Sequence, residues 1–346
     1  VLMLAGAGTG KTSALTARLA HLVAMRLAWP SEILCVTFTN KAAREMRERV
    51  GRHIGDAVEG MPWLGTFHAI GAKMLRRHAE LVGLQSNFTI IDPDDQLRLL
   101  KTLIAEADLD EKRWPARQLA GLIDRWKNRG LNPGDLDAVE NEAYANGRGA
   151  QLYKTYQARL QSLNACDFGD LLLHMLNIFR QHSDVLEQYQ NRFKYILVDE
   201  YQDTNQVQYL WLRLLAQHRK NICVVGDPDQ SIYAWRGADI SNILDFESQY
   251  ENALVVPLGR NFRSTGFIVE TAAKLIAYNK LRKDKRIYTD LEDGHKPIIV
   301  TLSNEHEEAS AIIQEVKRLH EVGTPFKEMA VLYRVNALSR VLEDAF

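Results

Sequence analysis

A glycine-rich turn near the beginning of the chain contains the residue types that bind phosphate groups. The turn, Ala5-Gly6-Ala7-Gly8-Thr9-Gly10-Lys11-Thr12, follows an apolar run and leads into an amphipathic helix predicted from Ser13. Glycines let the backbone N–H groups point at phosphate oxygens, and the helix N-terminus adds positive potential. Lys11 would reach the outer phosphates, and the Thr12 hydroxyl would bind Mg²⁺. The pattern predicts a P-loop that binds ATP with Mg²⁺.

Two other interpretations of this turn are weaker. A dinucleotide-binding turn would need a third glycine where Lys11 stands. A purely structural turn would not require a Lys-Thr pair between a strand and a helix. The usual first glycine of a P-loop is replaced by Ala5, which keeps the side chain at that position small.

Two acidic residues follow another apolar run, Tyr195–Val198. Taken alone, Asp199 and Glu200 would be interpreted as a solvated strand end or a helix cap. Beside a P-loop, Asp199 is predicted to hold Mg²⁺ through water, and Glu200 to orient and deprotonate the water that attacks the γ-phosphate.

A third segment joins a polar side chain to two aromatic rings. The apolar run Ile222–Val225 is followed by Gln230, whose amide would sense the γ-phosphate, and then by Tyr233 and Trp235. In an extended segment these two rings would face the same side, where nucleic-acid bases could stack on them. Aromatic residues at this spacing are more often core residues, but their position directly after a phosphate sensor favours a base-stacking surface.

The elements that must position these residues form an α/β pattern. Apolar runs typical of strands occur at Val1–Ala5, Ile33–Phe38, Tyr195–Val198, Ile222–Val225, Leu254–Pro257, Ile298–Leu302 and Met329–Tyr333. Helical patterns between most of them predict parallel sheets flanked by helices. From about Gly71 to Asn191 long amphipathic helices dominate, for example 94–107 and 149–163, with a possible strand at Phe88–Ile91.

This organisation predicts three domains, one of them split in sequence. Residues 1–67 and 192–255 would form the ATPase domain, 68–191 a helical domain inserted into it, and 256–346 the first part of a second α/β domain. The chain begins inside an apolar run and ends inside a predicted helix, so we expect both ends to be fragment boundaries.

The composition excludes several classes of protein. No apolar run approaches the length needed to cross a bilayer. Cys35, Cys166 and Cys223 stand far apart, without the spacing of a disulfide frame or zinc site, and predict reduced thiols in a cytoplasmic protein. The net charge is −1, and the basic clusters at Lys41–Arg52 and Lys73–His78 are by themselves typical of solvated helix faces.

One short match is misleading. Asp167-Phe168-Gly169 spells the magnesium-binding motif of protein kinases, but the kinase catalytic loop and strand lysine are missing. The segment is interpreted as ordinary sequence of the helical insertion.

Seven motifs in order resemble superfamily 1 DNA helicases of the UvrD, PcrA and Rep group. They are AGAGTGKT, VTFTNKAAREM, GTFHA, ILVDEYQDT, VVGDPDQSIYAWRGA, LGRNFRST and LYRVNALSRVLE. The resemblance extends over essentially the whole chain. It implies RecA-like P-loop domains and an ATP-driven translocase that moves 3′ to 5′ along single-stranded DNA, unwinds duplex at junctions, and acts in DNA repair or replication, with accessory proteins as possible partners.

The resemblance also implies roles for residues outside the P-loop. Arg263 would reach the γ-phosphate, although a surface salt bridge is the alternative, and Phe262 would stack on adenine where relatives usually have tyrosine. Arg236 would link the ATP site to the DNA-binding segment by an ion pair. Four further residues would contact DNA: Phe38, Thr39, Thr66 and His68. Phe38 could instead be core at a strand end, and for His68 alone a structural role is the simpler interpretation.

Two alternatives to a complete DNA helicase remain open from the sequence. One is the motor part of a larger helicase–nuclease, and the other is a non-enzymatic, nucleotide-regulated binding module. The second is disfavoured because the set Lys11, Thr12, Asp199, Glu200 and Gln230 is intact. In the resembling family later sequence completes the second α/β domain, so we expect residues 1–346 to bind nucleotide weakly and to hydrolyse ATP and unwind duplex poorly.

Overall fold

A parallel sheet of six strands lies at the centre of the structure, a computed structural model that describes all residues from Val1 to Phe346. The strands are β1 (Leu2–Ala5), β2 (Ile33–Thr37), β3 (Leu64–Thr66), β4 (Thr89–Ile90), β5 (Ala165–Cys166), β6 (Tyr195–Val198), β7 (Ile222–Gly226) and β8 (Val255–Leu258). Six of them form the sheet in the order β3-β2-β6-β7-β1-β8, whereas β4 and β5 form a separate parallel pair. The predicted α/β class with a parallel sheet is confirmed.

Fifteen helices accompany these strands. They are α1 (Lys11–Ala24), α2 (Asn40–Ile54), α3 (Phe67–Leu75), α4 (Pro93–Glu106), α5 (Ala116–Asn128), α6 (Ala138–Glu142), α7 (Gly149–Ser162), α8 (Asp170–Gln181), α9 (Ser183–Arg192), α10 (Gln206–Ala216), α11 (Ser241–Leu244), α12 (Phe246–Gln249), α13 (Gly266–Ile276), α14 (Glu305–Glu321) and α15 (Ser339–Ala345). None of them combines the length and apolar composition that a membrane crossing requires.

The sheet is covered on both faces, which explains why its strands are short continuous apolar runs. All residues of β2 and β7 are buried. Because side chains alternate along a strand, Leu34 and Val36 join one core with α3, α8 and α10, whereas Ile33 and Cys35 join another with α1 and α2. The three cysteines are buried and unpaired.

The helical insertion has a core of its own. Leu100 and Ile104 of α4, Ile123 of α5, and Tyr153 and Tyr156 of α7 pack together away from the sheet. In contrast, α8 and α9 contribute to the core on one face of the sheet. The insertion is therefore anchored to the sheet through its first helix, α3, and its last two helices, α8 and α9.

The chain divides into compact units 1–294 and 295–346. In the first unit, β8 pairs with β1, so residues just beyond the predicted boundary at 256 extend the first sheet. The domain limits given above remain a prediction. In the second unit, α14 and α15 are the helices, and the predicted strands 298–302 and 329–333 were wrong. These segments are not strands because no neighbouring strand supplies their hydrogen bonds, and Ile299 and Leu332 are almost fully exposed.

Candidate functional site

The P-loop connects β1 to α1 at the carboxyl edge of the sheet. Gly8 and Gly10 have φ values of 73° and 81°, which favour glycine strongly. A Cβ on Gly8 would also lie 2.7 Å from the Asn261 side-chain nitrogen. The helix begins at Lys11, so its free N–H groups point towards the loop. The loop has the backbone that a phosphate cradle requires.

Asn261 connects the P-loop to the segment that follows β8. Its Nδ2 donates to the Ala7 carbonyl at 2.7 Å, and its Oδ1 accepts from the backbone N–H of Arg263 at 2.8 Å. The Phe262 N–H donates to the Gly8 carbonyl at 2.9 Å. These contacts are possible because β8 lies directly beside β1. The sequence analysis did not single out Asn261.

Lys11 meets the two other polar groups predicted to act on the γ-phosphate. Its Nζ donates to Glu200 Oε2 at 3.1 Å and to Gln230 Oε1 at 3.0 Å. The Lys11 side chain is 10% exposed and that of Glu200 is 32% exposed. Strands β1, β6 and β7 thus bring Lys11, Glu200 and Gln230 to one point, as strands that end at the same edge of a parallel sheet must.

Glu200 has a backbone conformation that is uncommon for a residue with a side chain. Its φ and ψ are 49° and 47°, in the left-handed region. Such strain persists only where the surroundings fix it, and it concentrates at functional sites. Here the Glu200 N–H donates to Asp199 Oδ1 at 3.0 Å, and Gln202 Nε2 donates to the Glu200 carboxylate at 2.8 Å. Gln202, which the sequence analysis did not consider, therefore holds this carboxylate in place.

Asp199 and Thr12 form the predicted magnesium pair. Thr12 Oγ1 lies 3.4 Å from Asp199 Oδ2, and Asp199 is 2% exposed. Burial, reinforced by the neighbouring Glu200 carboxylate, raises the pKa of Asp199 to about 6. No group of three or more His, Cys, Asp and Glu side chains forms a metal cage. One carboxylate and one hydroxyl fit Mg²⁺, which uses few protein ligands and completes its shell with phosphates and water.

A cleft of about 740 Å³ lies over the P-loop. Its lining comprises Gly6, Ala7, Gly8, Thr9, Gly10, Lys11, Thr12, Ser13, Arg49, Glu200, Gln230, Phe262 and Arg263. The sequence analysis placed Arg49 only in the basic cluster Lys41–Arg52. On α2 it lies one turn after the buried Met46, which packs with α1. Its guanidinium donates to Ser13 Oγ at 3.4 Å and adds a positive charge to the cleft.

Phe262 and Arg263 lie on the exposed side of this cleft. Phe262 is 62% exposed, and the Arg260 guanidinium lies 5.0 Å from its ring centre. Arg263 forms no ion pair, so the alternative of a surface salt bridge is not observed. Both side chains are available to a ligand in the cleft.

A row of aromatic rings begins just beyond the loop that carries Gln230. Phe38 and Tyr233 are stacked with ring centres 5.7 Å apart, and Trp235 is 74% exposed with its ring 6.4 Å from Tyr233. The extended segment assumed for Tyr233 and Trp235 was wrong, because Ala234–Arg236 is a 3₁₀ turn. The turn tilts the two rings by 48° but keeps them adjacent.

Arg236 does not form the predicted ion pair. Its guanidinium lies 4.7 Å from the Trp235 ring centre and 5.3 Å from that of Tyr233. The turn places the side chain over these rings. Arg236 therefore adds positive charge to the aromatic row.

A groove of about 370 Å³ continues from this row. The predicted contact residues Phe38, Thr39, Thr66 and His68 all line it. The Thr39 and Thr66 hydroxyls also cap helices α2 and α3 by accepting from Ala42 and Ala69 N–H groups.

The groove also contains Phe168, which the sequence analysis set aside. Phe168 is 52% exposed, and its ring packs edge-on against His68 with centres 6.2 Å apart. Burial lowers the pKa of His68, which is therefore neutral at neutral pH and presents an uncharged ring to the groove. The structure thus brings the insertion and the sheet together around one groove.

Comparison with known proteins covers the whole chain. Residues 1–251 match the profile of the UvrD/REP helicase N-terminal domain. The chain belongs to the UvrD/REP helicase family. Residues 256–346 match the profile of the UvrD-like helicase C-terminal domain. The predicted resemblance to the UvrD, PcrA and Rep group is confirmed.

Curated members of this family include close relatives. The ATP-dependent DNA helicases PcrA of Staphylococcus aureus and Staphylococcus epidermidis are each 44% identical over all 346 residues. The chain spans 47% of the length of each of these relatives.

Proposed function

We propose that this chain is the ATP-binding part of a DNA helicase that moves 3′ to 5′ along single-stranded DNA and unwinds duplex. The observation that carries this proposal is the meeting of Lys11, Glu200 and Gln230 within 3.1 Å, in a loop system that continues into an exposed aromatic row. The relatives named ATP-dependent DNA helicase support DNA as the substrate. The protein would act in the cytoplasm, in DNA repair or replication.

ATP would bind in the cleft over the P-loop. Backbone N–H groups of Gly6–Gly10 would surround the phosphates, and Lys11 would exchange its carboxylate partner for the outer phosphates. Adenine would stack on the open face of Phe262. Mg²⁺, held by Thr12 and Asp199 together with phosphate oxygens, would neutralise charge on the phosphates.

Glu200 would act on the attacking water. Its carboxylate stands beside Lys11 and Gln230, and it is fixed from behind by Gln202. A carboxylate at that point can orient water for in-line attack on the γ-phosphate and accept its proton. Gln230 and Arg263 would stabilise the charge that develops on the transferred phosphoryl group.

ATP hydrolysis would be coupled to DNA binding through the loop that follows β7. Gln230 and Tyr233 are separated by three positions in the loop after β7, and Tyr233 stacks on Phe38. A shift of Gln230 between the ATP and ADP states would therefore move the ring on which a base stacks. Single-stranded bases would follow the aromatic row into the groove lined by Thr39, Thr66 and His68.

The test is the ATPase rate of the full-length parent protein with and without single-stranded DNA. Lys11→Ala should abolish hydrolysis, because it removes the cation on the outer phosphates. Trp235→Ala should leave basal hydrolysis largely intact and reduce its stimulation by DNA. If DNA did not change the ATPase rate of the wild-type protein, the result would indicate a generic ATPase and would contradict the proposed motor function.

A further inference from the structure

A cationic segment after α13 contacts the loop that carries Gln230. Lys285 Nζ forms an ion pair with Asp227 and another with Asp229 Oδ2 at 2.6 Å. Arg282 adds a second cation 3.2 Å from the same Asp229 oxygen. The Lys285 side chain is 2% exposed, and those of Asp227 and Asp229 are 3% and 8% exposed. This cluster is buried, so removing Lys285 leaves the Asp227 carboxylate without its ion-pair partner, whereas Asp229 keeps Arg282.

Asp227 links this cluster to the γ-phosphate sensor. One of its carboxylate oxygens accepts from the Asp229 N–H at 3.0 Å, and the other accepts from Gln230 Nε2. The first contact fixes the 3₁₀ turn Pro228–Gln230, and the second fixes the end of the Gln230 side chain. Lys285 therefore binds the residue that holds both the turn and the amide.

The direction of the Gln230 amide matters for its chemistry. Its two ends are similar in size but opposite in hydrogen bonding, because the oxygen accepts and the nitrogen donates. An ionised Asp227 can only accept, so it takes the amide nitrogen. The amide oxygen is thereby turned to Lys11, 3.0 Å away. A reversed amide would place its N–H groups against the Lys11 ammonium.

The same segment also reaches the P-loop. The Ile287 side chain lies against Gly6, so closely that a Cβ on that glycine would be 2.6 Å from it. The Tyr288 carbonyl accepts from the Asn261 N–H at 2.7 Å, and Thr289 Oγ1 donates to the Asn261 carbonyl at 2.9 Å. Residues 282–289 thus connect the sensor loop to the loop that clamps the phosphate cradle.

We propose that Lys285 is a positioning residue that holds Gln230 in the orientation that recognises the γ-phosphate. Its ammonium keeps Asp227 in place as an acceptor, and Asp227 keeps the Gln230 amide oxygen towards Lys11. The inference rests on the proposed ATP site, and it assigns to Lys285 the preference of that site for ATP over ADP. Lys285 itself does not line the cleft over the P-loop.

The test measures Kd values of fluorescent ATP and ADP analogues, with Mg²⁺, for residues 1–346 and for the Lys285→Gln variant. Since hydrogen bonds to charged groups are among the stronger ones, we expect ATP affinity to fall about tenfold and ADP affinity to change less than about twofold. Lys283→Gln is the matched control. Lys283 lies two positions away and pairs with Glu247, whose side chain is 54% exposed, so both affinities should be unchanged.

Two further variants separate positioning from general structure. Lys285→Arg keeps the positive charge and should retain most of the ATP preference. In a Gln230→Ala background, Lys285→Gln should cause no additional loss, because the amide that it positions is already gone. An unchanged ATP-to-ADP ratio in Lys285→Gln, an equal loss of both affinities, or additive losses in the double variant would overturn the proposal.

The failure of the site itself would look different. If the Lys11→Ala variant bound the ATP analogue as tightly as the wild type does, the proposed nucleotide site would be contradicted. The proposed role of Lys285 would then be contradicted too. Circular dichroism checks folding of each variant. Should Lys285→Gln not fold, Asp227→Ala removes the carboxylate through which Lys285 acts on Gln230; a selective loss of ATP affinity would support the proposal, and its absence would overturn it.

Discussion

Phe262 presents an open aromatic face beside the phosphate cradle while its backbone is fixed. The ring is 62% exposed, and the Phe262 N–H donates to the Gly8 carbonyl at 2.9 Å. A substitution of the side chain therefore leaves the main-chain contact to the P-loop in place. Substitutions of Phe262 can therefore test the stacking role without removing the main-chain contact to Gly8.

Phe262→Ala should weaken binding of ATP and of ADP equally, because both share the adenine ring. Stacking of a base on an aromatic side chain contributes about 1–3 kcal/mol, so we expect the Kd of each to rise about tenfold. Titration of fluorescent analogues measures both values. Phe262→Tyr, which keeps the ring face, is the control and should bind like the wild type; an unchanged Kd in Phe262→Ala would contradict stacking.

The sequence predicted those site residues whose motifs are local. A glycine-rich turn before a helix, or acids at the end of an apolar run, can be recognised without the fold, so Lys11, Asp199 and Glu200 were found. Their roles remain predictions. Asn261 and Phe168 were missed because their partners are distant in sequence, at Ala7 and His68. Only the pairing of β8 with β1 and the folding back of the insertion reveal them.

At the scale of elements, a buried charged cluster inside the helical insertion joins α5 to α8. Lys127 of α5 is fully buried and contacts Asp167 at 2.6 Å and Asp170 at 2.7 Å, just before and within α8. Burial raises the pKa of Asp170, but the Lys127 ammonium outweighs burial and lowers it overall. Phe168 lies between these two carboxylates in sequence, so the cluster also fixes one wall of the groove.

Lys127→Met should destabilise the protein by about 3–5 kcal/mol, because it leaves two buried carboxylates without a counter-ion. Urea unfolding measures the loss. Lys101→Met is the control: Lys101 pairs with Glu111 on the surface, with side chains 56% and 49% exposed, and should change stability by less than about 1 kcal/mol. Equal losses in the two variants would contradict the importance of the buried cluster.

Element prediction succeeded where a continuous apolar run defines the strand. Five of the six strands of the sheet were predicted from such runs to within a residue or two, whereas the three-residue strand β3 was not predicted. It failed for 298–302 and 329–333, which have the same apolar composition. A strand requires a hydrogen-bonding partner as well as apolar side chains, and the pattern of one segment does not show whether a partner exists.

At the scale of the whole molecule, all residues that line the cleft and the groove lie in the unit 1–294. The stretch from residue 291 to 301 is exposed and contains no helix or strand. Limited digestion with thermolysin, which cuts before large apolar residues, should therefore cut first before Ile299, which is 92% exposed, and the fragment 1–298 should retain nucleotide binding. Mass spectrometry and titration of a fluorescent ATP analogue check the two parts of this prediction.

The control for this digestion is the double variant Ile299→Asp and Val300→Asp, which removes two of the exposed apolar residues and should slow the first cut without changing nucleotide affinity. A fragment that unfolds or no longer binds the analogue would mean that residues beyond 298 are needed for the cleft. Intact cleft residues alone would then not suffice for binding.

The order of the strands has a consequence for synthesis on the ribosome. Strand β1 lies between β7 and β8, and on the order of 200 residues separate it from these partners along the chain. At elongation rates of about 5–20 residues per second, the interval between the synthesis of β1 and that of a neighbouring strand is on the order of ten seconds or longer. During that time the nascent chain exposes an apolar strand edge, which makes it a substrate for chaperones that shield such segments.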